Sequence, residues 1–187
     1  MKKRIINQKY RNTIIWISGI TASGKTTLGN RLAKDLKPYG IENLDVLDGE
    51  DLRNRLDRSY GHSEEERTKA FPKMLEIINQ SYAQGNIVIV STVSHKRYMR
   101  EAARNNFQNF MEIYLKCSAK TCAQRDFKGL YQKAINGELD LFPGITEPYE
   151  ESLDSPELVL DTSILSIEEC SEKLLIRTLK FLHTLQQ

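Results

Sequence analysis

Short apolar runs alternate with longer segments of helical periodicity along this chain. The runs predict strands that are covered on both faces: Ile14–Ser18, Asn43–Leu47, Ile87–Ser91, Met111–Lys116 and Leu158–Leu160. Apolar residues three or four positions apart predict helices: Lys25–Leu36, Glu64–Ala83, Lys96–Asn106, Ala119–Arg125 and Ile167–Leu185. This alternation predicts an α/β fold with a mostly parallel sheet and helices on both of its faces. Ligands of such sheets bind at the carboxyl ends of the strands.

Local signals refine two of these helices and predict one long loop. Ser166 and Glu169 form a capping box that starts the last helix, and Pro72 should break or kink the second one. The stretch Asp140–Pro156 carries three prolines and several acids and predicts a long loop of the kind that often acts as a lid. Repeats, low-complexity segments and linkers are not evident, so we expect residues 1–187 to form a single domain.

The segment between the first strand and the first helix matches the phosphate-binding loop pattern G-x-x-x-x-G-K-[ST] at every fixed position. Glycines let the backbone N–H groups of such a loop turn inward onto phosphate oxygens, and the helix start adds more of them. Lys25 should reach the β- and γ-phosphates, and the Thr26 hydroxyl should ligate Mg²⁺. The sequence therefore predicts ATP and Mg²⁺ at a donor site made by these residues: Gly19, Ala22, Ser23, Gly24, Lys25, Thr26 and Thr27.

Composition removes several other classes of protein. The chain has 187 residues and a formal charge of +2, so bulk charge suggests neither a nucleic-acid nor a membrane partner. The basic first residues are not followed by an apolar stretch of signal-peptide length, and we expect a cytoplasmic protein. Cys117, Cys122 and Cys170 are odd in number and scattered, which favours packing over a disulfide framework or a metal site.

Two polar clusters are candidates for the acceptor side of a phosphoryl transfer. Asp48 ends the second predicted strand, where a carboxylate could orient an acceptor hydroxyl and take its proton. The alternative is a residue that merely caps a following helix. Arg125, Lys128 and Lys133 surround Gly129, either as a hinged group of cations that closes over the transferring phosphate or as a solvated charged helix.

An ordered series of motifs resembles the adenylylsulfate kinase family from about Ile14 to Thr162. After the loop I-W-I-S-G-I-T-A-S-G-K-T-T come L-D-G-E-D-L-R, similar to the family's L-D-G-D-N-V-R, and the lid R-D-F-K-G-L-Y-Q-K-A. They are followed by F-P-G-I-T-E-P-Y-E, similar to F-T-G-I-D-D-P-Y-E, and by P-E-L-V-L-D-T. The resemblance implies a P-loop kinase fold with a lid at about residues 126–150, called the lid segment below. It also implies an ATP-dependent kinase of the ribose 3′-hydroxyl of adenosine 5′-phosphosulfate, with a second copy in a homodimer as a partner.

The resemblance also implies roles for single residues. Asp48 corresponds to the acid beside the acceptor hydroxyl, and Lys128 to a lysine near the transferring phosphates. Further matches concern the acceptor and the donor nucleotide: Arg53 and Arg67 hold the acceptor's phosphosulfate end, Ser94 is the serine of S-P-[YF], Phe142 stacks on the acceptor base, and Arg125 lies near the donor.

Departures from the family pattern cluster in one stretch. His62 replaces the second base-stacking aromatic, Ala70 replaces an asparagine, and Pro72 and Lys73 replace a pair of arginines. Nearby, His95 and Lys96 replace Pro-[Tyr/Phe]. Adenylyl sulfate is the first expectation for the acceptor, and another modified nucleotide such as cytidine diphosphoramidate is the alternative. A nucleotide-binding regulatory protein is a third interpretation, which the acidic edge and the lid motif disfavour.

Overall fold

The computed structural model describes residues 12–61, 63–151 and 156–185. Its elements in chain order are β1 Thr13–Ser18, α1 Lys25–Leu36, β2 Leu44–Asp48, α2 Gly49–Asn54, α3 Glu64–Ala83, β3 Ile87–Ser91, α4 Arg97–Asn106, β4 Phe110–Lys116, α5 Ala119–Arg125, α6 Leu130–Ile135, β5 Leu158–Asp161 and α7 Ile167–Thr184, with one 3₁₀ turn at Lys37–Tyr39. Every predicted strand and helix is present, with its ends within one residue of the prediction. The short helices α2 and α6 were not predicted.

The five strands form one parallel sheet in the order β2-β3-β1-β4-β5. Strand β1 lies at the centre, with Ser18 beside Tyr114 of β4. Asp48, the last residue of β2, lies beside Ser91, the last residue of β3. Because all strands point the same way, the segments that follow them meet at one edge of the sheet. The predicted α/β class and parallel sheet are confirmed.

Both faces of the sheet are covered by helices, as the apolar strands predicted. Ile15 and Ile17 of β1 belong to a cluster with apolar residues of α1 and α7. Ile14 and Trp16, which alternate with them, belong to a second cluster with residues of α2, α3 and α4. The alternation of side chains along a strand sends neighbours to opposite faces, and both faces here are buried.

Helix α1 approaches the sheet closely at Gly29. A Cβ atom at this position would lie 2.7 Å from Oγ of Ser91 in β3. The same hydroxyl donates a hydrogen bond to the Lys25 carbonyl oxygen at 3.2 Å. The small residue and the hydrogen bond together fix the first turn of α1 against the carboxyl end of β3.

The break expected at Pro72 does not occur. Helix α3 runs through it from a Ser63 cap, whose hydroxyl accepts the Glu66 N–H. An interior proline costs about 3 kcal/mol because it removes one backbone hydrogen bond and crowds the preceding turn. Burial of Phe71, Met74 and Ile78 against the sheet offsets that cost.

The lid segment packs over the Gly19–Thr26 loop. Cys122, Tyr131 and Phe142 form a third apolar cluster with Ile20 of that loop. The Tyr131 hydroxyl donates to the Thr21 carbonyl oxygen at 2.8 Å. The described part of the chain holds no helix with the length and apolar character to cross a membrane.

Candidate active site

The backbone of the Gly19–Thr26 loop adopts the curled conformation that its glycines predict. Gly19 and Gly24 have φ of 147° and 99°, a region that favours glycine. A Cβ atom on Gly19 would lie 2.7 Å from the Leu115 carbonyl oxygen. The Ser23 hydroxyl is buried and finds no hydrogen-bond partner among the described residues. A shielded donor in such a loop fits a phosphate oxygen.

Lys25 lies inside the curve of the loop. Its ammonium group donates to the Ile20 carbonyl oxygen at 2.7 Å. Burial lowers the pKa of Lys25 to about 8, although the nearby Cys122 and Asp48 side chains act in the opposite direction. The influence of Asp48 on this lysine means that the candidate acceptor carboxylate and the candidate donor lysine are electrostatic neighbours.

Two side-chain hydroxyl groups donate hydrogen bonds to backbone carbonyl oxygens of the Gly19–Thr26 loop. Ser91 binds the Lys25 carbonyl as described above, and the Thr162 hydroxyl donates to the Ser23 carbonyl oxygen at 3.1 Å. Arg125 in turn donates to the Thr162 carbonyl oxygen at 2.7 Å, which places it beside the loop. Sequence reasoning missed both hydroxyls, and the available signal was a polar residue at or just after the end of an apolar strand.

Asp48 caps helix α2. Its Oδ1 accepts the N–H groups of Glu50 at 2.9 Å and Asp51 at 2.8 Å. The capping alternative is therefore confirmed, and it accounts for the local turn after β2. Because the cap uses one carboxylate oxygen, a role toward an acceptor hydroxyl remains compatible with it and stays a prediction.

Lys128 reaches from the lid segment across to α2. Its Nζ lies 2.7 Å from Oε2 of Glu50, and both side chains are largely exposed. The hydrogen bond to Glu50 raises the pKa of Lys128, with a further contribution from the charge of Asp48. Lys128 thus carries positive charge to the edge where Asp48 lies.

Thr26 and Thr27, two of the predicted donor-site residues, are exposed at the start of α1.

Arg53 and Arg67 are near neighbours. Burial lowers the pKa of Arg53, and the charge of Arg67 lowers it further. Arg53 donates to the Tyr60 carbonyl oxygen at 3.5 Å, and Arg67 donates to the Leu141 carbonyl oxygen at 2.6 Å. Two partly buried guanidinium groups that repel each other favour an anion between or beside them.

The Glu147 carboxylate contacts Arg67 and two further basic side chains. Its Oε2 lies 3.5 Å from Nη1 of Arg67 and 2.9 Å from Nε2 of His95, the latter without hydrogen-bond alignment. Its Oε1 lies 3.6 Å from Nζ of Lys96. Burial lowers the pKa of His95, the charge of Glu147 opposes this, and Arg67 and Lys96 reinforce it. Sequence reasoning missed Glu147, although it occupies an acidic position of the F-P-G-I-T-E-P-Y-E motif.

Ser94 lies next to this group in a tight backbone turn. Its φ is 38°, and its buried hydroxyl has no hydrogen-bond partner in the described part of the chain. Its carbonyl oxygen accepts a hydrogen bond from Arg100. An unpaired buried hydroxyl next to His95 suits a polar ligand, and the predicted acceptor role of Ser94 stays a prediction.

The predicted base-stacking residues are less accessible. Phe142 is buried, and its ring meets that of Tyr131 edge to face with 4.9 Å between centroids. Ala70 is buried within α3. His62 lies outside the described residues. A base could reach the Phe142 ring only after the lid segment shifts, so stacking at this residue remains a prediction.

Metal-binding clusters are not found in the described ranges, which hold no group of three or more His, Cys, Asp or Glu residues suited to an ion. The polar groups instead converge on two adjoining places at the carboxyl edge of the sheet. One is the Gly19–Thr26 loop with Lys25, and the other is the Arg53–Arg67 pair. Asp48 lies near the first of these places, where its charge acts on both Lys25 and Lys128. This arrangement is suited to bringing a phosphate donor and an anionic acceptor together.

Comparison with known proteins identifies the family of this chain. The sequence profile of the adenylylsulphate kinase family matches residues 11–161. The adenylyl-sulfate kinase of Bacillus licheniformis is 40% identical over 176 residues, which cover 92% of this chain and 88% of the relative. A probable adenylyl-sulfate kinase of Bacillus subtilis is 40% identical over 169 residues, covering 89% of this chain and 85% of the relative.

A solved structure of an APS kinase has the same fold as this chain. The APS kinase CysC of Mycobacterium tuberculosis, in complex with AMPPNP and APS, superposes with a TM-score of 0.80 at 29% identity. The superposition covers 90% of this chain and 98% of that one. The family profile, the relatives and the shared fold together show that this chain belongs to the adenylylsulphate kinase family and is an ATP-dependent P-loop kinase.

Proposed function

We propose that this kinase transfers the γ-phosphate of ATP to the ribose 3′-hydroxyl of adenylyl sulfate. The observation that carries the proposal is that Asp48, at the end of β2, lies beside Ser91 of β3, whose hydroxyl binds the Lys25 carbonyl oxygen at 3.2 Å. The names of the similar proteins from Bacillus support this acceptor.

The donor half of the reaction uses the Gly19–Thr26 loop. Its amides and the Ser23 hydroxyl bind phosphate oxygens, and Lys25 compensates charge on the β- and γ-phosphates. The Thr26 hydroxyl would hold Mg²⁺, which would supply charge neutralisation to the phosphate groups. Arg125 lies on the donor side through its contact with Thr162.

The acceptor half uses Asp48 and the two arginines. Asp48 orients the 3′-hydroxyl and takes its proton as the oxygen attacks the γ-phosphorus and ADP leaves. Arg53 and Arg67 bind the phosphosulfate end, and Arg67 exchanges its contact with Glu147 for the ligand. Lys128 and the lid segment exclude water from the transfer.

Cytidine diphosphoramidate was the alternative acceptor, and the relatives described above give it no support. The departures at His62, Ala70, Pro72 and Lys73 then concern how tightly the adenine nucleotide is held. Alanine at position 70 cannot make the hydrogen bond to the acceptor that an asparagine would make. The net contribution of such a bond to the free energy of binding is about 0.5–1.5 kcal/mol, provided that no buried polar group is left unpaired. This predicts a weaker acceptor site rather than a different acceptor.

Release of ADP with ATP–Mg²⁺ and a panel of nucleotide acceptors tests the proposal. We expect adenylyl sulfate to give the highest kcat/KM, and product analysis to show the phosphate on the 3′-oxygen. The double change His62→Phe and Ala70→Asn should raise kcat/KM for adenylyl sulfate by about tenfold through KM. Higher kcat/KM with a cytidine nucleotide than with adenylyl sulfate would overturn the acceptor assignment.

We also propose one domain for residues 1–187 and a homodimer in solution. The three apolar clusters share one sheet and the loop at its edge, which supports a single cooperative unit. Light scattering tests the homodimer, and a single calorimetric transition with equal calorimetric and van't Hoff enthalpies tests the single domain.

A further inference from the structure

Two cysteines contact each other next to the donor loop, and the proposed reaction uses neither. Cys117 directly follows β4, and Cys122 lies in α5. Relative to the helix cap Ser118, they occupy the position before the cap and the fourth helical position. Side chains at these two positions pack against each other at a helix start. Cys117 also packs against the apolar cluster that contains Cys122.

The two thiols have opposite surroundings. Cys117 is half-buried and accepts hydrogen bonds from Oγ of Ser163 at 3.5 Å and Nη1 of Arg125 at 3.8 Å. Burial raises the pKa of Cys117, but these groups and the neighbouring thiol outweigh it and bring the pKa below its usual value. Burial raises the pKa of Cys122 to about 12. One thiol is thus accessible and readily ionised, while its buried neighbour keeps its proton.

We propose that Cys117 and Cys122 form a peroxide-sensitive thiol pair whose disulfide opposes ATP binding. The Cys117 thiolate attacks one oxygen of hydrogen peroxide, breaks the O–O bond and becomes a sulfenic acid, with hydroxide leaving. The Cys122 sulfur then attacks the Cys117 sulfur, loses its proton and expels water as the S–S bond forms. Two thiols are oxidised by two electrons, and the peroxide is reduced to two molecules of water. A dithiol reverses the step by thiol–disulfide exchange.

The link to ATP runs through Cys122. It packs in one apolar cluster with Tyr131 and Ile20, and the Tyr131 hydroxyl donates to the Thr21 carbonyl oxygen of the donor loop. A disulfide to Cys117 changes the position of the Cys122 sulfur in this cluster and so disturbs the contact between the lid segment and the loop. This half of the proposal rests on the proposed donor site.

The pair itself is tested by mass and does not depend on activity. The full chain is treated with hydrogen peroxide, and its free thiols are then counted by alkylation and intact mass. Three thiols before treatment should become one, with Cys117 and Cys122 joined in the peptide map. Cys117→Ser should abolish this disulfide, and Cys122→Ser should leave Cys117 as a sulfenic acid that a dimedone probe captures. Cys170→Ser is the matched control, because Cys170 is buried in α7 and its loss should not prevent the disulfide.

The consequence is tested by titration of the oxidised and the dithiol-reduced protein with ATP–Mg²⁺. We expect the Kd of ATP to rise by at least about tenfold on oxidation, to recover on reduction and to stay constant in Cys117→Ser. Three free thiols after treatment, or a bond that includes Cys170, would overturn the thiol pair. A disulfide with unchanged ATP affinity would overturn its effect on the donor site. Failure of the reduced protein to bind ATP would count against the proposed function and leave the thiol result standing.

Discussion

Lys25 is buried in the donor loop, and its pKa of about 8 makes its charge depend on pH in the accessible range. The charged form binds phosphate, so ATP must raise this pKa in the complex. Above pH 8 the unliganded protein has lost the proton and must regain it on binding. We expect the Kd of ATP to rise by up to about tenfold per pH unit above 8.

Calorimetry in buffers of different ionisation enthalpy measures this proton directly. At pH 9 the parent protein should take up roughly one proton for each ATP bound. Lys25→Arg stays charged and should take up none, while Lys34→Ala, at an exposed position of α1, should behave like the parent. ATP binding at pH 9 without proton uptake would mean that the lysine is already charged in the free protein.

Asp48 has a structural role that can be separated from its proposed catalytic one. Asparagine also caps helices through its side-chain oxygen, so Asp48→Asn should keep the cap of α2. It cannot take the acceptor proton, and we expect kcat to fall by about 10²–10⁴. The measurement is kcat together with the ATP Kd and the melting temperature, both of which should stay near those of the parent.

Asp48→Ala is the variant with which Asp48→Asn should be compared. It removes cap and base together, so it should lose about 1 kcal/mol of stability in addition to kcat. If Asp48→Asn retains the kcat of the parent, Asp48 is a capping residue only.

At the scale of elements, the start of α7 shows how much a local sequence signal can specify. The Ser166 hydroxyl accepts the Glu169 N–H, and the Glu169 carboxylate accepts the Ser166 N–H, so the predicted capping box is present. Ser166→Ala removes one half of it. We expect a loss of about 1 kcal/mol in the free energy of unfolding, measured with urea, and unchanged kcat.

Thr184→Ala at the other end of α7 is the matched control. Its hydroxyl donates only to a carbonyl of the exposed last turn, and its loss should cost no more than about 0.5 kcal/mol. Equal losses in the two variants would show that the capping box adds nothing specific.

The elements that sequence patterns missed are short. Helices α2 and α6 have six residues each, which is less than two turns and too few for a periodic apolar face. The predicted break at Pro72 is absent from α3 for a different reason, although the predicted bounds of this helix are confirmed. Local backbone chemistry opposes a helix there, and burial against the sheet outweighs it.

At the scale of the whole molecule, Arg100 contacts segments that are far apart in the sequence. Its Nε lies 3.2 Å from Oε1 of Glu112 in β4, and both side chains are buried. Its other nitrogens donate to the carbonyl oxygens of Ser94 and Glu150. Arg100→Met leaves the Glu112 charge without this partner in the interior. We expect it to lose about 3–5 kcal/mol in the free energy of unfolding, measured by urea denaturation.

Arg31→Met serves as the control for the loss of an ion pair. Arg31 pairs with Asp35 at 3.2 Å on the exposed side of α1, and its removal should cost less than about 1 kcal/mol. Adding Glu112→Gln to Arg100→Met should recover part of the loss, because it removes a buried charge that has lost one of its cationic partners. A cost for Arg100→Met no larger than that for Arg31→Met would contradict the proposed role of the buried pair.

The sequence by itself determined the features that depend on residues close together in the chain. In the described residues, the five strands, five of the seven α-helices, the α7 capping box and the Gly19–Thr26 loop follow from apolar periodicity, caps and glycines that permit positive φ. These signals act over a few residues, so no partner elsewhere has to be known. The ordered motifs then identified the family.

Only the tertiary structure decided which distant side chains meet. Arg67 contacts Glu147 across 80 positions, and Lys128 contacts Glu50 across 78. It also showed that Phe142 is packed against Tyr131 and that Cys117 and Cys122 differ in burial. Charge, desolvation and access depend on what surrounds a group in space, and the sheet and its crossovers bring those surroundings together from across the chain.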